Sequence, residues 1–527
     1  MGSVLVDAAR TLHAHHSWGE GWKAIRTKLY FMQKDPQVSP VLLETFDALQ
    51  RELRPNDLLS SIRLYVLSKG HYNWVLDDEF NRNDQDLYAE AEERLMARAE
   101  QLGREFAAST LCLSDLTPNL FSSEWMPYRS AFGQGLAQGT ASPRDIWQLL
   151  IKELEQDSTE NKDFSVFLGF IDGADRINEA MAHEFLDQCA VHPSLCRVLV
   201  KLHPRRDFTE RDLDRCMSLL DKPDIHPFMY DTFLWDKKCW HLPVSRVLEL
   251  AERLLVMESG EEPVLNGLGM RLHGKKATED MPGPELLQVG LRAAIQVLQK
   301  DTDARGSLVD VFMESVVAAA LQLDEHDVLK HQWLDAVFSA IDKHYGYMNE
   351  YRKTIETTVA LIPEAFLSRL FADSEDQRCM RLFFMRGSIG DTPLLSGVDI
   401  ETLIDWCSSS DDPRIWAFVP QGLELWVIIP DTSGTVLHEN AVKFLEAAPE
   451  PSLVLDSFAE LTSSTSWSGS LANIWQSRAD AFSKLIEHER DDISNVAKKI
   501  HERLMLMIER QRNREQQEDR KGEQRFE

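Results

Sequence analysis

The sequence predicts an all-α chain: an irregular HEAT-like α-solenoid of antiparallel helix pairs ending in a charged helical tail. Three observations lead there. Windows of about 11–18 residues with apolar side chains at helical spacing follow one another, each closed by a short break of Pro, Gly, Asp or Ser. Period-two alternation with β-branched enrichment is rare, and Leu423 to Ile429 is the best strand candidate. The length of 527 residues exceeds the roughly 250–300 that one hydrophobic core supports, so the helices must form several domains or stack as a repeat. Because no fixed repeat length carries a fixed consensus, tetratricopeptide and ankyrin patterns are not met.

Taken in order, the chain divides into an N-terminal helical segment (1–130), central helical repeats (131–400), C-terminal helical repeats (401–488), and a capping helix with a charged tail (489–527). Ser142-Pro143-Arg144-Asp145 opens one helix: Ser142 is placed to cap, Pro143 sits in the first turn, and Ile146, Leu149, Leu150 and Leu154 form the expected face. Thr209 to Asp212 opens another, with Leu213, Cys216, Met217 and Leu220 behind it. Pro243 starts a third, lined by Val244, Val247, Leu248, Ala251, Leu254 and Leu255. Glu285 to Leu298, Leu308 to Leu323, Ile400 to Cys407 and Leu471 to Ile486 repeat the pattern. Leu272 to Pro284 and Cys407 to Pro413 read as exposed loops, either solvated connectors or recognition elements. Near the end, Ser468 or Ser470 is placed to cap a helix, and a second helix follows with Ile493, Val496, Ile500, Leu504 and Ile508 on one side. From Gln511 to Arg525 no aliphatic or aromatic residue remains, so that stretch is expected to be solvated, disordered or dependent on a partner.

Composition excludes several classes. A net charge of −29 opposes a surface that wraps a phosphate backbone, although a local basic site such as Lys201, Arg205 and Arg206 stays open. No segment reaches the ~18 uncharged apolar residues of a membrane helix, and the first thirty residues carry His, Trp and charges in place of a signal-peptide core. A cytoplasmic location without membrane attachment is expected. Seven scattered cysteines fit buried free thiols better than a disulfide framework.

Four motifs imitate catalytic or cofactor chemistry. Gly269 to Lys276 matches phosphate-loop spacing but ends in lysine where the magnesium-binding hydroxyl belongs, and no strand precedes it. Gly133, Gly135 and Gly139 approximate a dinucleotide loop with the third glycine one place late; helix breaking is the better reading. Cys189, His192, Cys196 and His203 could surround a tetrahedral zinc, against a reading of buried thiols beside an interhelix turn. Asp224, Asp236 and Lys238 imitate a magnesium nuclease, which requires them to converge from paired strands. His13, His15 and His16 read as a helix face or a terminal tail. Two aromatic clusters, His71 to Phe80 and Phe233 to Trp240, mix apolar area with polar groups as interface hot spots do, or fill gaps between helix layers. No catalytic, cofactor-binding or metal-ligating residue is assigned, no cofactor is expected, and Cys-His or Ser-His-Asp sites stay open because their members meet only in the fold.

From about Asp115 onward the chain resembles the C-terminal helical region of large bacterial STAND-type NTPases of antiviral defence. The segments that carry the resemblance are Phe132 to Ala137, Phe167 to Gly173, Leu403 to Cys407 with Asp412-Pro413-Arg414, Ser466 to Ser470 with Ile474 and Arg478, and the closing Asp519 to Glu527. No phosphate loop precedes the helices, which puts the ATPase and effector of such proteins outside this chain; it is either a stand-alone helical subunit or the C-terminal piece of a longer product. The resemblance implies a non-enzymatic scaffold or sensor whose partner is an NTPase/effector subunit or a phage protein. The alternative is a divergent metal-dependent nuclease or a nucleic-acid adaptor.

Overall fold

The computed structural model describes residues 9–12, 19–69, 73–77, 87–117, 119–273, 281–300, 308–323, 327–344, 350–372, 381, 384–386, 392–429, 434–462 and 469–526. The fold is all-α and of helical-repeat type, as expected. It divides into two compact units: Met1–Tyr230 with Lys237–Pro243, and Asp231–Asp236 with Val244–Glu527.

In the first unit, α1 (Gly19–Met32), α2 (Pro40–Glu52) and α3 (Leu58–Tyr65) lead into α4 (Leu87–Ala107), α5 (Arg129–Gln138), α6 (Pro143–Gln156), α7 (Ser165–Ile177), α8 (Glu179–Val191) and α9 (Glu210–Met217), with a 3₁₀ segment Leu195–Leu202 before α9. The core centres on Trp147 of α6. Its ring stacks on Phe185 of α8 at 4.6 Å and meets Phe167 of α7 edge-on at 5.4 Å, while its indole N–H donates to Gln188 Oε1 at 2.8 Å. This resets the face expected for α6. Leu150 and Leu154 are buried, but Leu149 is 44% exposed and the large indole takes the inward position. Ser142 stands at the N-cap without a side-chain cap bond; its own amide donates to Thr140 Oγ1 at 3.1 Å.

The glycines read as helix breakers lie within helices or at a helix end and bring backbones together. Helix α5 runs between α4 and α7. A Cβ on Gly135 would lie 1.9 Å from Glu100 O, and one on Gly103 would lie 2.2 Å from Phe132 O, so α4 and α5 approach through a reciprocal glycine pair. On the other side, a Cβ on Gly133 would lie 2.1 Å from Val166 O and one on Gly169 only 1.7 Å from Ser130 O. Spaced small residues let helix backbones approach more closely than any Cβ permits. The start of α5 is tied down by Arg129, whose guanidinium donates to the carbonyls of Leu120, Ser122 and Glu124.

The second unit comprises α10 (Thr232–Trp235), α11 (Val244–Val256), α12 (Glu261–Leu272), α13 (Pro284–Gln299), α14 (Leu308–Leu321), α15 (Asp327–His344), α16 (Arg352–Leu361), α17 (Pro363–Leu370), α18 (Ile400–Ser409), α19 (Ile415–Phe418), α20 (Glu439–Ala447), α21 (Pro451–Glu460), α22 (Leu471–Ser483) and α23 (Asp491–Phe526). From α11 to α15 each helix packs on the helix two places on, which is how a helical repeat shares its apolar stripes. An antiparallel hairpin of β1 (Trp426–Ile428) and β2 (Thr435–Leu437) lies within the expected strand candidate at its first arm. The expected loop from Cys407 starts later, at Ser410, because Cys407 is a buried residue of α18. In α23, Ile493, Ala497, Ile500, Leu504 and Ile508 are buried in one stripe, and the helix continues to Phe526. Among the described residues no helix is long and apolar enough to cross a membrane.

The glycine contact predicts a large asymmetry between two identical substitutions. Gly169→Ala should lower stability by about 1–3 kcal/mol through overpacking, although alanine is the better helix former. Gly397→Ala, where a Cβ meets nothing within 4 Å, should be nearly neutral. Thermal unfolding of both variants checks this, and equal melting temperatures would reject the backbone contact.

Candidate functional site

Among the described residues, a dense buried polar cluster surrounds Asp212, the third residue of α9. Thr209 and Asp212 form a capping box: the Thr209 amide donates to Asp212 Oδ2 at 2.9 Å and the Asp212 amide to Thr209 Oγ1 at 3.3 Å. The same carboxylate, 0% exposed, accepts from Arg206 Nη1 and Arg215 Nη1, each at 2.8 Å. His183 Nδ1 lies 3.5 Å from Asp212 Oδ1 and His203 Nδ1 lies 3.7 Å from it. Arg215 also reaches Asp187 at 2.7 Å and Arg206 reaches Asp175 at 3.1 Å, so the cluster ties α7, α8, the 203–209 segment and α9 together.

Within it stands a catalytic connectivity. Cys216 Sγ lies 3.5 Å from His203 Nε2, and the other ring nitrogen of His203 faces Asp212. A nucleophilic thiol, a base and an orienting carboxylate are joined in this order in cysteine hydrolases. The protonation states run against that chemistry. Burial pushes the Cys216 thiol well above its ordinary range, and burial lowers His203 to about 3 despite the attraction of Asp212. A reactive cysteine needs a stabilised thiolate in an electropositive, partly exposed setting. Here thiol and imidazole are both neutral, and Cys216 is 0% exposed. Burial opposes the charged form of Asp212, but the Arg206 guanidinium and the hydrogen bonds from Thr209 outweigh it and hold the carboxyl below the usual carboxylate range. What the arrangement does is hold a buried anion between two guanidiniums, and removing one member of such a network strands the others without partners.

The four residues of the zinc reading do not converge. Cys189 lies on the buried face of α8, and burial raises its thiol. His192 turns Nδ1 onto the amides of Ser194 and Leu195, at 3.2 and 3.3 Å, as an interhelix turn requires. The Cys196 thiol donates to Pro193 O, and His203 belongs to the Asp212 cluster. Among the described residues no group of three or more His, Cys, Asp or Glu could hold a metal ion. Of the nuclease reading, Asp224 is exposed and pairs with Arg197 at 3.0 Å, while Lys238 O accepts from the Phe208 amide. Lys238 and Asp224 belong to the first unit and Asp236 to the second. Gly269 lies inside α12, where a Cβ would meet Phe312, and residues 274–280 lie outside the described residues, as do His13, His15, His16, His71, Tyr72 and Phe80.

The basic spot also changes character, because Arg206 is spent on Asp175 and Asp212, and the Arg205 amide donates to Asp172 Oδ1 at 3.0 Å. Of the aromatic clusters, Trp74 packs against Tyr30 at 4.4 Å, and Phe233 and Leu234 are buried. Sequence reasoning named Thr209 and Asp212 as a helix start but missed His183, Arg206 and Arg215 as their partners. The legible signal was the capping pattern alone.

Comparison with known protein families, curated proteins and solved structures finds no match to this chain.

The cluster predicts an acid-sensitive fold. Folded His203 takes its proton only near pH 3, whereas the unfolded chain takes it near the usual ~6.5, so in between the unfolded state holds the extra proton. Stability is therefore full above about pH 6.5 and falls with decreasing pH, by up to ~1.4 kcal/mol per pH unit for one such group. His183, lowered by burial, adds to the same slope, and the depressed carboxyl of Asp212 continues it below the ordinary carboxylate range. His203→Asn should flatten the dependence of the melting temperature on pH between 8 and 5; an unchanged slope would reject the assignment.

Proposed function

We propose that the chain is a non-enzymatic helical scaffold or sensor for protein–protein interaction, working beside an NTPase/effector subunit in bacterial antiviral defence. The observation that carries the non-enzymatic part is the state of the Cys216–His203–Asp212 chain: its connectivity suits acyl transfer, but its thiol and imidazole are neutral and buried. The stacking of each helix from α11 to α15 on the helix two places on supports the scaffold reading, since such repeats display long surfaces for partners. The partner class rests on the resemblance alone. Against the nuclease and adaptor readings stand the Asp224–Arg197 pair, the internal pairing of Arg206 and the net charge of −29.

Two measurements test this. In the intact protein, iodoacetamide should modify the exposed Cys112 and leave Cys216 untouched, and Cys216→Ala should retain the fold; rapid native labelling of Cys216 would reopen the enzyme reading. Co-expression with the product of an adjacent reading frame that carries a phosphate loop should give one co-eluting complex in size-exclusion chromatography. Separate elution of the two proteins would overturn the proposed partnership.

A further inference from the structure

Among the described residues, the last part of α23 meets α22 through the carboxylate of Glu515, with Arg512 reaching Gln476 beside it. Beyond Ile508 the apolar stripe of α23 stops, yet the helix stays against α22 as far as Gln511 and Glu515, which are half-buried on the same face. Glu515 Oε2 accepts from Ser470 Oγ at 2.6 Å, and Glu515 Oε1 accepts from the Ala472 amide at 3.0 Å. Gln511 Nε2 donates to the same Oε1 at 3.0 Å. Ser470 is the N-cap of α22, with its hydroxyl accepting from the Asn473 amide at 3.2 Å, and Gly469 before it turns the chain at a φ of 81°.

A carboxylate from the terminal helix thus shares the cap of α22 with the local serine. The first amides of a helix lack intrahelical acceptors and carry positive dipole charge, so a carboxylate is a stronger acceptor there than the neutral hydroxyl it supplements. Ser470, with Gln511 and the Ala472 amide, holds the Glu515 carboxyl below its usual range, as a ligated anion should be. The neighbouring charges do not compete for this place: Arg514 pairs with Glu518 at 3.0 Å, and Arg512 reaches Gln476 at 3.5 Å.

We infer that residues 509–526 form a detachable strap, docked on α22 through Glu515 and able to leave while the 493–508 part of α23 stays packed. The apolar stripe and the charged fastening are separate along one helix, so the second can open without the first. Hydrogen exchange of the full chain, read by mass spectrometry, tests it. In Glu515→Ala, amides of 510–526 and of 472–474 should exchange about five- to tenfold faster, the scale of a lost cap, with 493–505 unchanged. Glu515→Gln, which keeps the shape and loses the charge, should fall between wild type and alanine. Unchanged exchange in 510–526 would overturn the strap, and so would equal acceleration along the whole of α23. A glutamine variant identical to wild type would overturn the charged fastening.

Discussion

Helix α5 lies between α4 and α7 at distances that leave no space for a Cβ at Gly103, Gly133, Gly135 or Gly169. Large side chains pack alongside this approach, as Phe132 of α5 does on Phe106 of α4 at 5.9 Å. Trp147, Phe167, Phe170 and Phe185 form their own aromatic core. Close packing of this kind stabilises through many weak contacts, and it tolerates no added methyl on the contact line.

The Asp212 cluster sits where α7, α8 and α9 meet, and its charges compensate one another internally. A carboxylate buried alone would be costly, whereas one accepting from two guanidiniums, a threonine amide and a threonine hydroxyl is held ionised. Burial, helped by the surrounding positive charge, keeps both histidines neutral, and burial likewise keeps the thiol 3.5 Å from an imidazole a thiol. Geometry alone would have suggested a hydrolase. The electrostatics of the same residues argue for cohesion.

Helix type and position were legible because they follow from local periodicity and from Pro and capping residues: the starts at Pro143, Thr209, Val244 and Leu471 all appear within a residue or two of expectation. The phase of α6 was misread: Trp147 makes an i, i+3, i+7 stripe with the buried Leu150 and Leu154, whereas Leu149, two residues on, points about 200° away from the indole, which packs on α7 and α8. The glycines were legible as residues and misread in role, because a glycine that breaks a helix and one that admits another backbone look alike in one dimension. The polar tail from Gln511 was likewise readable as lacking apolar residues, while the acceptor role of Glu515 depends on an N-cap forty-five positions away.

By itself, then, the sequence determined an all-α chain of many short helices with no apolar membrane-length segment, since each of these properties is set by neighbours within a few residues. Only the tertiary structure decided that His203 and Cys216 face each other beside Asp212, and that the arginine at 206 is an internal counter-ion. It also decided that the glycines are contact points. Each of these depends on which helices come together and on how far water is removed from the groups between them, and neither quantity is written in local spacing.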